Sequence, residues 1–241
     1  MLDGIKRLFG SGTQRTAPEW EGIVPWAESR KYTYRAVHNE GFVIDGRLAT
    51  SAWRMEWGPS QRSYISGHEL RLRAELALPV ELQAVVMNRE LQETMEKAVF
   101  EQFVEGVQTR IDNETPPEMR WLVMYPKLSG AEMPLLRERF VALSSSKRWL
   151  LNWLDGDLTK SLAALVPMPE VPLVLMVSRG RLVLRMALAE AQIGPVQGAL
   201  RVFETALRES RRIADQGAAD DAGADGSAWL PSASPGGDPK S

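Results

Sequence analysis

Cysteine is absent from the 241 residues, and histidine occurs only as His38 and His68. Disulfides and thiol nucleophiles are therefore excluded, and most zinc sites with them. No apolar run approaches the roughly 20 residues that a membrane-spanning helix needs; Leu173 to Val177 is typical of the runs present. An excess of positive charge is missing too. The formal net charge is −2 and the pI about 5.9, so there is no overall basic field to hold nucleic acid. The opening residues Met1 to Phe9 lack the apolar stretch and small-residue cleavage site of a secretory signal. The expected location is a reducing cytoplasm. Arginine outnumbers lysine 22 to 7, which reads as the codon bias of a GC-rich bacterial genome.

Catalytic signatures are missing as well. The chain has no Gly-x-x-x-x-Gly-Lys-[Ser/Thr] phosphate loop, no Gly-x-Gly-x-x-Gly after a strand and no Gly-x-Ser-x-Gly elbow. A serine triad would have to use His38, in an expected turn, or His68, just before a strand. His68 beside Glu69 is the best such pair, and it is not assigned a role. Asp155-x-Asp157 resembles the start of a calcium loop, but position twelve is Val166 where a glutamate ligand is required. Asp157 reads instead as a helix cap. Asp112, Glu114 and Glu118 beside Pro116-Pro117 read as a solvated loop. Trp149 and Trp153, one helical turn apart, read as core. No catalytic residue, metal or cofactor is assigned.

What is present is an ordinary globular composition, 44% hydrophobic and 25% charged. Residues 1–12 form a flexible or short amphipathic start, with Leu2, Ile5, Leu8 and Phe9 at helical spacing beside Lys6 and Arg7. Residues 13–215 are expected to form one α+β domain, with a division near Pro116 left open. Residues 216–241 are Ala, Gly, Asp, Ser and Pro almost throughout, too polar to offset chain entropy, and read as a disordered acidic tail. The tail carries four aspartates and one lysine, which leaves the body nearly neutral. Trp229-Leu230 interrupts it as an isolated docking motif.

Within the body, Glu69 to Leu78 alternates strictly. Leu70, Leu72, Ala74, Leu76 and Leu78 take one face, and Glu69, Arg71, Arg73 and Glu75 the other. A period of two argues a half-buried strand of an antiparallel sheet. Ala52 to Trp57 alternates likewise, with Arg54 and Glu56 outward. Strands are also expected at 31–37, 41–48, 119–125 and 139–143, with a short one at 82–87. Leu173 to Val177 and Leu182 to Leu188 read as a hairpin turning at Ser178 to Arg181. Three main helices are expected: Asn88 to about Thr109, capped by Asn88; Lys147 to about Leu165, capped by Ser146; and Val196 to about Ile213, with Pro195 in its first turn. Strand runs followed by helices predict an α+β fold whose antiparallel sheet is covered on one face by the three helices.

The surface singled out is the charged face of that sheet. Arg54, Arg71 and Arg73 point outward, and Arg62 lies in the turn between their strands. Together they form an anion site or partner-binding face, unless Glu56, Glu69 and Glu75 merely pair with them across the strands. The functional reading is a non-catalytic interaction or adaptor protein. Its protein partner binds through Arg54, Arg62, Arg71, Arg73 and the tail residues Trp229 and Leu230; no nucleic acid takes part. Two other readings stay open. One is a hydrolase using paired carboxylates, which requires a deep pocket holding both. The other is weak attachment to a membrane surface by residues 1–9.

Overall fold

The computed structural model describes residues 20, 22–37, 40–104, 115–165 and 171–226. The expectations placed on residues 1–9, His38, Asp112, Glu114, Trp229 and Leu230 lie outside these. The described chain runs α1 (Ile23–Ser29), β1 (Thr33–Val37), β2 (Gly41–Leu48), β3 (Ser51–Pro59), β4 (His68–Glu75) and β5 (Ala84–Asn88). It continues through α2 (Arg89–Val104), α3 (Pro117–Met124), β6 (Phe140–Ser144), α4 (Lys147–Leu154) and α5 (Asp157–Ala164). β7 (Leu173–Ser178), β8 (Arg181–Ala187) and α6 (Ile193–Gly226) complete it. The fold is α+β. All eight strands join one antiparallel sheet in the order β1-β2-β3-β4-β8-β7-β5-β6.

The inner face of the sheet is apolar from end to end. Trp53, Met55 and Trp57 of β3 meet Leu70 and Leu72 of β4, then Leu184 of β8 and Leu175 of β7, all within one buried cluster. α1, α4, α5 and α6 cover it through side chains such as Ile23, Trp153, Leu162 and Phe203. Trp153 donates its indole N–H to the carbonyl of Ala206 at 3.0 Å, tying α4 to α6. Leu70 and Leu72 are fully buried; each such side chain contributes about 1.5–3 kcal/mol.

The outer face is divided. Along β5, β6 and β7 it is apolar, because Val85, Met87, Leu143, Val174 and Met176 point outward. α2 and α3 cover that half with Leu91, Met95, Trp121 and Leu122. Along β2, β3 and β4 most outward positions are charged, and no described helix covers them. The expectation of helices on a single face thus holds for α4, α5 and α6, whereas α2 takes the opposite face. The physical reason lies in β5 and β6. Both are buried at every position, so both of their faces need a cover.

Three local expectations also change. Residues 119–125 form most of α3 rather than a strand. Pro117 stands at N1, where its missing N–H costs nothing, and Glu118 in the first turn suits the helix dipole. Asn88 immediately precedes α2, and its Oδ1 accepts the N–H of Leu173 at 3.0 Å, fastening β5 to β7. Ser146 does cap α4, accepting the N–H of Trp149 at 3.4 Å. Asp157, by contrast, is the first residue of α5, with Gly156 at the cap. At the other end α6 continues past Gln216 to Gly226, since alanines at 218, 219, 222 and 224 favour a helix more than the rest of the tail does. The expected hairpin is present: Arg179 and Gly180 both have positive φ (51° and 70°) between Ser178 and Arg181, the two-residue primed turn that matches strand twist.

Candidate functional site

Register assembles the charged half of the outer face. β3 and β4 pair so that Arg54 stands opposite Arg73 and Glu56 opposite Arg71. β4 and β8 then bring Arg185 opposite Arg71, and β2 brings Asp45 opposite Arg54. Acids and arginines interleave across four strands. Arg54 donates to both oxygens of Asp45, at 2.7 and 3.3 Å, and Arg35 of β1 reaches the same carboxylate at 3.1 Å. Glu56 accepts from Arg73 at 2.9 Å and from Arg71 at 3.0 Å. Glu69 accepts from Arg71 at 2.9 Å, from Arg185 at 2.8 and 3.0 Å, and from the N–H of Gln61 at 3.0 Å.

Exposure falls steadily along this row. The side chains of Arg73 and Arg54 are 55% and 40% exposed, that of Arg71 is 17%, and Glu69 is sealed. Exposed pairs at the open end contribute little. At the closed end, removal of one partner would leave a buried charge uncompensated. The hydrogen bond from Arg54, aided by Arg35 and opposed by partial burial, holds the Asp45 carboxyl below the usual carboxylate range.

Arg62 does not join the other three arginines. The β3–β4 loop turns it under α3, where it donates to Glu118 Oε1 at 2.7 Å. The Tyr64 hydroxyl donates to the same oxygen at 2.5 Å. Glu118 is fully buried, so what reads as a solvated loop acid is the anchor that locks the β3–β4 loop to α3. Burial, reinforced by the Glu118 charge, pushes the Tyr64 hydroxyl well above its ordinary range. The structure thus brings Arg54, Arg71 and Arg73 onto one face and sets Arg62 apart. It adds Asp45, Glu118 and Arg185, which sequence reasoning missed. Arg185 had a signal: Leu182, Leu184 and Met186 alternate with Arg181, Val183 and Arg185, as in β4.

Among the described residues the buried carboxylates are Glu69, Glu118 and Glu209, and each is held by arginine. His68 and Glu69 do not converge, because the His68 ring stacks on Trp57 with centroids 4.7 Å apart, while Glu69 is committed to Arg71 and Arg185. Among the described residues no group of three or more His, Asp or Glu side chains could hold a metal, and no helix is long and apolar enough to cross a membrane. At the end of the charged row, beside Arg71 and Glu56, the face dips into a depression of about 430 Å³ that also touches Gly41, Gly58, Val37 and Val43.

No protein-family model matches the chain, and no curated protein matches it. Among solved structures it is similar to the crystal structure of the mycobacterial trehalose monomycolate transport factor A, TtfA, at 10% sequence identity and a TM-score of 0.45. That likeness covers 78% of this chain and 91% of the other.

Proposed function

We propose that this chain is a non-catalytic interaction or adaptor protein of the bacterial cytoplasm that docks an acidic segment of a protein partner on the open half of its outer sheet face. The observation that carries the reading is the Arg54–Arg73 pair. Two like charges directly opposite each other on paired strands are destabilising, and here they are left uncovered. Each guanidinium leans on its own acid, Asp45 on one side and Glu56 on the other. The seam between them is a place where a carboxylate from outside would bond to both. The five arginines at 35, 54, 71, 73 and 185 face three acids at 45, 56 and 69. The face is cationic on a chain of net charge −2.

The test uses the full chain as bait in three forms: wild type, Arg54→Glu with Arg73→Glu, and Lys160→Glu on the far side as a charge control. A partner retained by wild type and control but lost from the double reversal, and recovered as a purified binary complex with the same pattern, supports the reading. An identical set of proteins on all three baits contradicts it.

A further inference from the structure

The proposed docking face ends in a notch built from missing side chains. Gly41 of β2 and Gly58 of β3 continue the outward-facing series Val43–Asp45 and Arg54–Glu56, and neither projects anything. A Cβ at position 41 would lie 1.9 Å from the Trp57 carbonyl oxygen, so no other residue fits there. At position 58 a Cβ would meet the Glu40 carbonyl oxygen at 3.3 Å. Val37 and Val43 give the notch apolar walls, and Arg71 lines it from the side of the charged row. Glu56 and Glu69 hold that guanidinium from two sides. A planar guanidinium fixed in this way offers a stacking surface to an aromatic ring. The site therefore combines a cationic seam with a socket for one aromatic side chain.

The chain contains a segment of matching chemistry. Asp220, Asp221 and Asp225 precede Trp229-Leu230, a lone aromatic in an otherwise small and polar stretch. Trp229 follows Asp225, near the end of α6, by four positions, a length of chain that spans at most about 14 Å. That is enough to cover the four positions from Arg54 to Gly58 on β3, about 13 Å.

The molecule's own segment cannot reach. α6 starts with Ile193 against Gly22, close to the sheet end where Trp20 packs on Trp57. It passes the opposite end of the sheet where Arg211 bonds Thr50 in the β2–β3 turn. From there to Gly226 the helix projects about 22 Å further. The three residues from Gly226 to Trp229 span at most about 11 Å. The notch lies back along the whole of β3, in the other direction.

We infer that the docking face of one molecule receives residues 225–230 of a second copy, with Trp229 seated in the Gly41–Gly58 notch against Arg71 and Asp225 on the Arg54–Arg73 seam. Reciprocal exchange closes the assembly as a symmetric pair. The inference rests on the reading of this face as a docking surface; it adds that the chain's own acidic segment competes there with the partner.

Sedimentation of the full chain over a concentration series tests it. The expected result is a reversible dimer whose dissociation constant rises about tenfold or more with Trp229→Ala, which removes an aromatic anchor. Gly58→Ala and Gly58→Val should weaken it in increasing order, with folding checked by circular dichroism. In a second measurement, a peptide of residues 218–241 carrying a fluorinated tryptophan at 229 is titrated into the full-length Trp229→Ala protein. Its fluorine resonance should shift and saturate, and should not do so with the Trp229→Ala, Gly58→Val double variant. A monomer at every concentration, a dimer indifferent to Trp229→Ala, or a peptide that binds neither protein would overturn the inference. The partner reading is judged separately, by capture on the Arg54→Glu, Arg73→Glu bait, which leaves Trp229 untouched.

Discussion

Arg54 and Arg73 face each other directly across β3 and β4, and each is neutralised only by turning away from the other, toward Asp45 and Glu56. This arrangement carries a cost in stability, since like charges opposite one another oppose pairing by a few tenths to about 1 kcal/mol. Arg73→Thr removes the repulsion, keeps good strand propensity and gives up one exposed ion pair. Its unfolding free energy in urea should stay within about 0.5 kcal/mol of wild type, while partner capture falls. A loss of several kcal/mol would mean that Arg73 is structural rather than a docking residue.

Arg71 should behave differently, although it belongs to the same alternating series. The sequence pattern places Arg71 and Arg73 alike on a solvated face, so that reversing both should barely affect folding. The structure separates them: Arg71 is the shared donor to Glu56 and to the sealed Glu69. Arg71→Glu puts a second carboxylate beside a buried one and should cost about 3–5 kcal/mol. Parallel urea titrations of Arg71→Glu and Arg73→Thr read the difference. Equal midpoints would show that Glu69 is not sealed.

The outer face was legible where one side of the strand meets water. Alternation in β3 and β4 revealed Arg54, Arg71 and Arg73 because solvent on one face leaves a period of two. It failed in β5, β6 and β7, where helices cover both faces and every position can be apolar. The partners of the buried end were hidden for another reason. Glu118 lies 56 residues from Arg62, and Arg185 lies 116 residues from Glu69. Pairing at such separations is set by the strand order, which local patterns do not encode. The helical nature of residues 117–124 was available in Pro116-Pro117 followed by Glu118, a helix-start signal that the bulky apolar residues of 119–125 outweighed.

Asp45 gives the face a pH signature. Its carboxyl is held below the usual range, first by the hydrogen bond from Arg54. A depressed folded-state value contributes stability above the unfolded value of about 3.9, and the contribution disappears as pH falls through the folded value. Arg54→Gln should therefore raise the Asp45 midpoint in carboxyl carbon NMR and lower stability near neutral pH. Once Asp45 is protonated, it should lose no further stability relative to wild type. An Asp45 midpoint unmoved by the substitution would remove Arg54 as its principal partner.

Leu72 tests the opposite side of β4. It is fully buried between the sheet and its inner helices, so Leu72→Ala should cost about 2–5 kcal/mol through lost transfer energy and the cavity left behind. Thermal unfolding followed by circular dichroism reads it. A cost below about 1 kcal/mol would place Leu72 toward water and reverse the assignment of the two faces.

Site-specific photo-crosslinking tests the open docking face most directly. A photoreactive phenylalanine analogue replaces Ala52, the exposed residue next to Arg54 in the outward series of β3, in one full-length chain and Lys160, on the solvent side of α5, in another, and both are irradiated in living cells. The expected result is a discrete protein adduct from position 52, abolished by adding Arg54→Glu with Arg73→Glu, with none from position 160. No adduct at 52, or the same adduct from both positions, would contradict the account.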